Sequence, residues 1–218
     1  LRTPLASIRV LVDTLLDSGS TDQVQTTEYL QLIAQENERL GRLIDNFLTF
    51  SRLERNRQQF EFHEHDPVEL ADRAIAVING KLQSPNCTFK RETEGNLPSI
   101  HADFDAIVTV ILNLLDNAIK FSGDSKQIIL RVTHSERCVQ FEIEDQGIGM
   151  SQANTKHAFD RFFQADTRLS RNHGGCGLGL SLVRSIVDSH NGSVFVTSKL
   201  GVGTTFTVRL PCANNSLQ

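Results

Sequence analysis

Asn113-Leu114-Leu115-Asp116-Asn117-Ala118-Ile119-Lys120 decides how this chain is read. In a helix over 103–121, Asn113, Asn117 and Lys120 recur at i, i+4 and i+7 and share one face, while Ile107, Ile111, Leu114, Leu115, Ala118 and Ile119 cover the others. A thin polar stripe therefore runs along a helix that is otherwise core. Two primary amides and an ammonium facing one way offer carbonyl oxygens to a hard cation and positive charge to a phosphate, which are the needs of a magnesium nucleotide. A solvated polar face on a partly exposed helix explains this stretch equally well by itself.

Length and composition narrow the partners. The 218 residues suffice for one large domain, or a small one with an appendage. A net charge of -4 with mixed signs throughout leaves no basic footprint for nucleic acid and no polybasic membrane patch, so the partner is expected to be protein or small molecule. Cys87, Cys138, Cys176 and Cys212 form no C-x-x-C pair, which suggests reduced thiols in a cytoplasmic protein and disfavours structural zinc. No apolar run reaches bilayer-spanning length. The chain opens without Met inside a helical pattern, so a fragment is expected, with any membrane contact made through segments outside it.

Leu1, Leu5, Ile8, Val12 and Leu15 follow spacings of four and three until Asp17-Ser18-Gly19-Ser20 interrupts. Leu30, Ile33, Asn37, Leu40, Ile44, Phe47 and Ser51 repeat the alternation, which is the period of a bundle seam. Two such helices joined by a short loop make an antiparallel hairpin that cannot bury both apolar faces alone. A homodimeric four-helix bundle completes it, with Asn37 fixing register; packing of the hairpin on its own globular domain is the alternative.

The seam fades between Arg52 and Gln59, which divides the chain into a hairpin domain over 1–58 and a second domain over 59–218. Phe60 and Phe62 alternate with polar residues as in a short strand, and Asp66-Pro67-Val68-Glu69 is a capping box opening a helix to about Asn79-Gly80. Residues 87–91 and 99–101 read as strands, 127–133 and 139–144 as a hairpin, 181–189 as a helix ended by Asn191-Gly192, and 193–198 pairs with 204–210. Helices interleaved with mostly hairpin-linked strands predict an α+β sandwich, one sheet with helices on one face.

Three glycine clusters punctuate this domain. Asp145-Gln146-Gly147-Ile148-Gly149 ends a predicted strand, where Gly147 and Gly149 permit close approach of backbone to a flat ligand and the Asp145 carboxylate can accept from an exocyclic amine such as adenine N6. A simple strand-ending turn is an equal reading of that cluster. Gly174-Gly175-Cys176-Gly177-Leu178-Gly179-Leu180 leads into an apolar helix and offers unhindered N–H groups to an anion, but follows no strand and lacks a Lys-Ser/Thr ending. Gly201-Val202-Gly203-Thr204-Thr205-Phe206 reads as a hairpin turn or a third ligand-facing element.

The ordered set is what is specific. The polar-striped helix, D-x-G-x-G, Phe159-Asp160-Arg161-Phe162-Phe163, G-x-G-L-G-L and G-x-G-T-x-F together resemble the catalytic ATP-binding domain of sensor histidine kinases, within the gyrase, Hsp90 and MutL superfamily. Leu1-Arg2-Thr3-Pro4-Leu5 resembles the dimerisation helix of the same kinases, His-Glu-Leu-Arg-Thr-Pro-Leu, whose acceptor histidine lies two residues before the Leu. The resemblance implies a Bergerat ATP-binding fold, ATP and Mg2+ as ligands, Asn117 as metal ligand, Asn113 and Lys120 near the phosphates, and Asp145 on adenine. It also implies that Gly175, Gly177, Leu178, Gly179 and Leu180 line the phosphate side, that Thr204 joins the nucleotide site, and that residues 164–174 form a lid. Relatives often carry Arg where this chain has Gln164, so Arg161 or the lid residue Arg168 is expected to substitute in contacting phosphate. Thr3 falls where a hydroxyl helps position water for dephosphorylating a response-regulator receiver domain, the implied partner beside a second copy of the chain.

The hydrolases of that superfamily carry Glu at the position of Asn113, as the base that activates water, and an amide cannot take a proton. The γ-phosphoryl should therefore go to a neutral imidazole. No histidine lies among residues 1–62, so this chain is expected to lack the acceptor. A gyrase-like hydrolase, and a non-catalytic docking module with a vestigial nucleotide site, are the competing expectations.

Overall fold

The three-four spacing at the start of the chain folds as two packed helices, α1 (Arg2–Asp17) and α2 (Gln23–Glu54). The computed structural model describes residues 2–17, 23–54, 60–83, 86–123, 126–135, 137–164 and 177–213. Two compact units emerge, Leu1–Arg55 and Asn56–Gln218. Within the first, Leu5, Val10, Val12, Leu16, Val24, Leu30, Leu32 and Ile44 remain exposed, and so does Asn37. The side chain of Thr3 lies outside the described residues.

Among the described residues of the second unit, strands β1 (His63–His65), β2 (Cys87–Thr93), β3 (Ile100–Ala102), β4 (Lys126–Ser135), β5 (Cys138–Asp145), β6 (Ser193–Lys199) and β7 (Gly203–Pro211) are interspersed with helices α3 (Pro67–Leu82), α4 (Phe104–Phe121), α5 (Gln152–His157) and α6 (Gly179–Ser189). The main sheet has five strands in the order β2-β4-β5-β7-β6. The expectation of one sheet needs correction, because β1 and β3 form a separate two-stranded ribbon and β2 joins β4 in parallel. That parallel pairing is possible because α4 lies between the two strands in sequence and carries the chain back across.

Burial alternates along the sheet with period two. Ile128, Leu130, Val132, Val139, Phe141, Ile143, Phe206, Val208 and Leu210 are buried, whereas Arg131, Gln140, Glu142, Glu144 and Arg209 occupy the opposite face. Onto the apolar face pack α4 and α6, which also touch each other, and α3 lies against α4. Asp103 caps α4 by accepting from the Ala106 N–H at 2.9 Å, and Asp66 caps α3 by accepting from the Val68 N–H at 2.8 Å. Contrary to the expected stop at Gly80, α3 runs on to Leu82, whose side chain is buried. Burial of that one residue outweighs the weak local tendency of a glycine to end the helix.

Phe60 and Phe62 also depart from expectation, since the strand begins only at His63. Their rings pack on His190 instead, with centroids 5.1 and 4.8 Å from it. His190 closes α6: its Nδ1–H donates to the Ile186 carbonyl at 2.8 Å, and its Nε2 accepts the Asp103 N–H at 3.0 Å. The ring is therefore neutral, and burial holds its pKa below the ordinary value. Cys138 and Cys212 are free thiols, and Cys176 lies outside the described residues. Among the described residues no helix is long and apolar enough to cross a membrane.

Candidate functional site

The polar stripe of α4 is present as the sequence predicts. Asn113, Asn117 and Lys120 are half-buried, while Ile107, Ile111, Leu114, Leu115, Ala118 and Ile119 are buried. The Asn113 side-chain amine donates to the Thr109 carbonyl at 2.9 Å, one turn back. Its Oδ1 therefore turns outward to α6, where a β-carbon on Gly179 would stand 2.9 Å away. A larger residue at 179 would displace the Asn113 amide from this position. Lys120 places its ammonium 4.9 Å from the Phe121 ring centroid.

Asp145 is the last residue of β5 and is only 5% exposed. Its Oδ1 accepts the Gly147 N–H at 2.8 Å, and the Thr204 backbone N–H also donates to the carboxylate. Burial nevertheless pushes its pKa up to about 6, against the pull of those two N–H groups and with the help of the Glu144 charge. At neutral pH the group is an ionised acceptor inside the fold, with lone pairs beyond those the two N–H groups use.

The turn after Asp145 is clamped between two other elements. The Ile148 N–H donates to the Phe121 carbonyl at the end of α4, 3.1 Å away, and the Gly201 N–H donates to the Ile148 carbonyl at 2.7 Å. At Gly147 a β-carbon would sit 2.1 Å from the Phe121 carbonyl oxygen, and at Gly149, where φ is +62°, 2.0 Å from that of Lys199. Neither position admits a side chain. The end of the polar-striped helix, the Asp145 turn and the β6–β7 turn are thus one assembly, and the Gly201–Gly203 segment is both a hairpin turn and a wall of it.

Leu178 is buried ahead of α6, and its carbonyl accepts from the Leu182 N–H and the Ser181 hydroxyl at 2.9 Å each. Leu180 is half-buried. The aromatic stretch is joined to this start, because the Phe162 N–H donates to the Gly177 carbonyl at 3.0 Å. Phe159 is buried against Phe206 and carries the Arg184 guanidinium 5.0 Å from its centroid, whereas Arg161 is exposed. Arg168 and Gly175 lie outside the described residues. Sequence reasoning missed Ser198, whose hydroxyl contacts Met150, Gly203 and Thr204. A small hydroxyl residue six positions before Thr204 across a tight turn was its signal.

The donor set suits the ligand that the sequence implied: amide oxygens suit a hard cation, a buried acceptor suits an amine, and helix-initiating N–H groups beside small residues suit phosphate. Among the described residues no group of three or more His, Cys, Asp or Glu is placed to hold a metal ion.

Comparison with known proteins identifies the fold and the family. The family model of histidine kinase-, DNA gyrase B- and HSP90-like ATPases matches residues 102–214, and that of the His kinase A (phospho-acceptor) domain matches residues 1–56. Sensor protein KdpD of Clostridium acetobutylicum is 32% identical over 214 residues, covering 97% of this chain and 23% of that protein. The full-length kinase ShkA in complex with AMPPNP superposes with a TM-score of 0.74 at 24% identity, over 97% of this chain and 44% of that one. Histidine kinase ThkA in complex with the response regulator protein TrrA gives a TM-score of 0.77 at 22% identity, over 99% of this chain and 59% of that one. The chain spans 23%, 42% and 32% of the length of three curated relatives it matches, so it corresponds to a part of each. It belongs to the histidine kinase-, DNA gyrase B- and HSP90-like ATPase family, and with the phospho-acceptor domain ahead of that match it is the core of a two-component sensor histidine kinase.

Proposed function

We propose that the 59–218 domain binds Mg-ATP as the catalytic part of a kinase, and that the γ-phosphoryl passes to an acceptor histidine not among hairpin residues 1–58 of this chain, then to an aspartate of a response-regulator receiver domain. Asn117 offers its carbonyl oxygen to Mg2+, and Asn113 and Lys120 face the phosphates. Bound there, the ion supplies neutralisation of charge on the phosphate oxygens. Asp145 accepts from the adenine amine beside Gly147, Gly149 and Thr204. Gly175, Gly177, Leu178, Gly179 and Leu180 form the phosphate side, with Arg161 and Arg168 as the cationic contacts.

What supports the reading most directly is Asp145: an ionised carboxylate under the surface, held by two backbone N–H groups next to a position where no side chain fits. A fold keeps such a group at a cost, and a buried carboxylate of this kind is a candidate for binding a ligand. Asn113 carries no basic carboxylate, so this chain favours imidazole over water as the nucleophile. By the family resemblance that imidazole stands two positions ahead of the residue equivalent to Leu1, and Thr3 positions water when a phosphorylated receiver is dephosphorylated. The exposed apolar residues of α1 and α2 supply the surface for a second copy, in the cytoplasm.

Calorimetric titration with ATP, in Mg2+ and in excess chelator, tests the site. Binding that needs the metal, and that Asn117→Ala abolishes, is expected. A folded chain that binds no adenine nucleotide in Mg2+ overturns the proposal.

A further inference from the structure

Asp145 of β5, Thr204 of β7 and Ser198 of β6 stand in one row across the sheet, Asp145 opposite Thr204 and Thr204 opposite Ser198. Directly opposed residues on antiparallel strands point to the same face. Here it is the inner face, where Asp145 and Thr204 are both buried.

Counting hydrogens fixes the polarity of that row. The Ser198 hydroxyl oxygen lies 2.7 Å from the Met150 nitrogen, 2.9 Å from the Gly203 carbonyl oxygen and 2.9 Å from the Thr204 hydroxyl oxygen. A backbone N–H can only donate and a carbonyl can only accept. The one hydroxyl hydrogen of Ser198 therefore goes to Gly203, and its two lone pairs take the Met150 N–H and the Thr204 hydroxyl hydrogen. With its hydrogen engaged inside the protein, Thr204 meets any further partner as an acceptor only.

We infer that Ser198 is a positioning residue for base specificity: by holding the Thr204 hydrogen it makes Asp145 and Thr204 a pair of acceptors, which selects 6-aminopurine over 6-oxopurine nucleotides. The inference rests on the purine-site reading above. An exocyclic amine has two hydrogens to give and satisfies such a pair. A 6-oxo group brings lone pairs against lone pairs, and buried acceptors left without donors are costly. Ser198 touches no part of the base; it acts through Thr204. It also holds the main chain at Met150, just after the Asp145 turn, so the same hydroxyl ties that turn to the β6–β7 turn.

The test measures the affinities of ATP and ITP, which differ at the 6-position, by competition against labelled ATP in Mg2+ on the whole chain. Wild type prefers ATP. In Ser198→Ala the Thr204 hydroxyl is free to rotate and donate to the 6-oxo oxygen, so the ATP:ITP preference narrows about tenfold. Ser198→Thr keeps the hydroxyl and restores the wild-type preference. The ratio does not depend on the folded fraction, so simple destabilisation leaves it unmoved. A Ser198→Ala preference within about twofold of wild type, or a Ser198→Thr that behaves like Ser198→Ala, overturns the role of Ser198 while leaving the purine site standing. Failure of folded wild type to bind either nucleotide removes the purine site, and this inference with it.

Discussion

The two units of this chain use apolar residues in opposite ways. In the hairpin, Leu16, Val24 and Val10 are 76%, 69% and 63% exposed, whereas Leu114, Leu115 and Phe141 of the second unit are at 0%. The same residue types, at equally regular spacing, close a core in one case and leave an open face in the other. Two helices have one shared contact line between them; a sheet with helices laid on it encloses a volume. The hairpin is therefore built to be finished by something else, whereas the second unit closes its own core and holds the charge of Asp145 within it.

The largest effect is expected from breaking the hairpin's side of this contrast. Val12→Glu combined with Leu30→Glu places carboxylates on exposed apolar positions of α1 and α2. If those faces meet across a dimer, burying the charges weakens association at least about 100-fold, roughly 3 kcal/mol. Sedimentation equilibrium should then show monomer where wild type is dimeric, with unfolding of the second unit unchanged. A double variant that stays dimeric would place the interface elsewhere.

The other side of the contrast is probed at Asp145. Asp145→Asn replaces an acceptor by a group that also donates, and ATP affinity should fall roughly 100-fold in the titration described above. Ligand-free stability should move the other way. The folded pKa of Asp145, about 6, lies above the ordinary 3.8, so the native state holds this proton more tightly than the unfolded chain does. Its contribution is present below about pH 4 and is lost as pH rises through 6, a change of about 3 kcal/mol. Chemical denaturation of wild type and Asp145→Asn across pH 4–7 should give a difference that grows in favour of the variant as pH rises. His190 gives the reverse slope. Burial depresses its pKa, so its stabilising contribution is present above the ordinary imidazole value and is lost as pH falls. The acid-side loss seen in Asp145→Asn should shrink when His190→Leu is added.

How far the sequence foretold this depends on the range of the interaction. The α4 stripe was legible because Asn113, Asn117 and Lys120 are related by helical period alone, and the caps at Asp66 and Asp103 involve residues two and three positions away. Of the Asp145–Thr204–Ser198 row, the Ser198–Thr204 end lay in a predicted hairpin, but the place of Asp145 beside Thr204 was not legible. It depends on the register of two strands, and a one-residue slip would have turned Thr204 to the opposite face. Likewise, the meeting of Asn113 with Gly179 joins residues 66 positions apart and follows from how α4 packs on α6. Phe60 and Phe62 show the converse failure: they alternate as a strand would, yet take their place from the ring of His190, far along the chain.

The smallest effect is expected where a conspicuous contact lies outside both the open face and the buried charge. Lys81 of α3 meets Asp116 of α4 at 2.5 Å, next to Asn117 in sequence, and invites reading as a brace for the site helix. Both side chains are nearly half-exposed, so solvent screens the pair and ordering two flexible side chains offsets much of the gain. The buried faces of α3 and α4, with Leu70, Ala74, Leu82, Ile111 and Leu115 inside, already fix how these helices lie. Lys81→Met, which keeps the aliphatic stem, should shift the unfolding free energy by no more than about 0.5 kcal/mol. ATP affinity should stay within about twofold of wild type, because no part of the proposed acceptor row or amide stripe has moved. A larger loss of ATP affinity at unchanged stability would show that Asp116, released from Lys81, redirects its charge toward the neighbouring amide or toward Lys120 one turn on. The polar stripe would then be tuned from the outer face of α4 as well as from within.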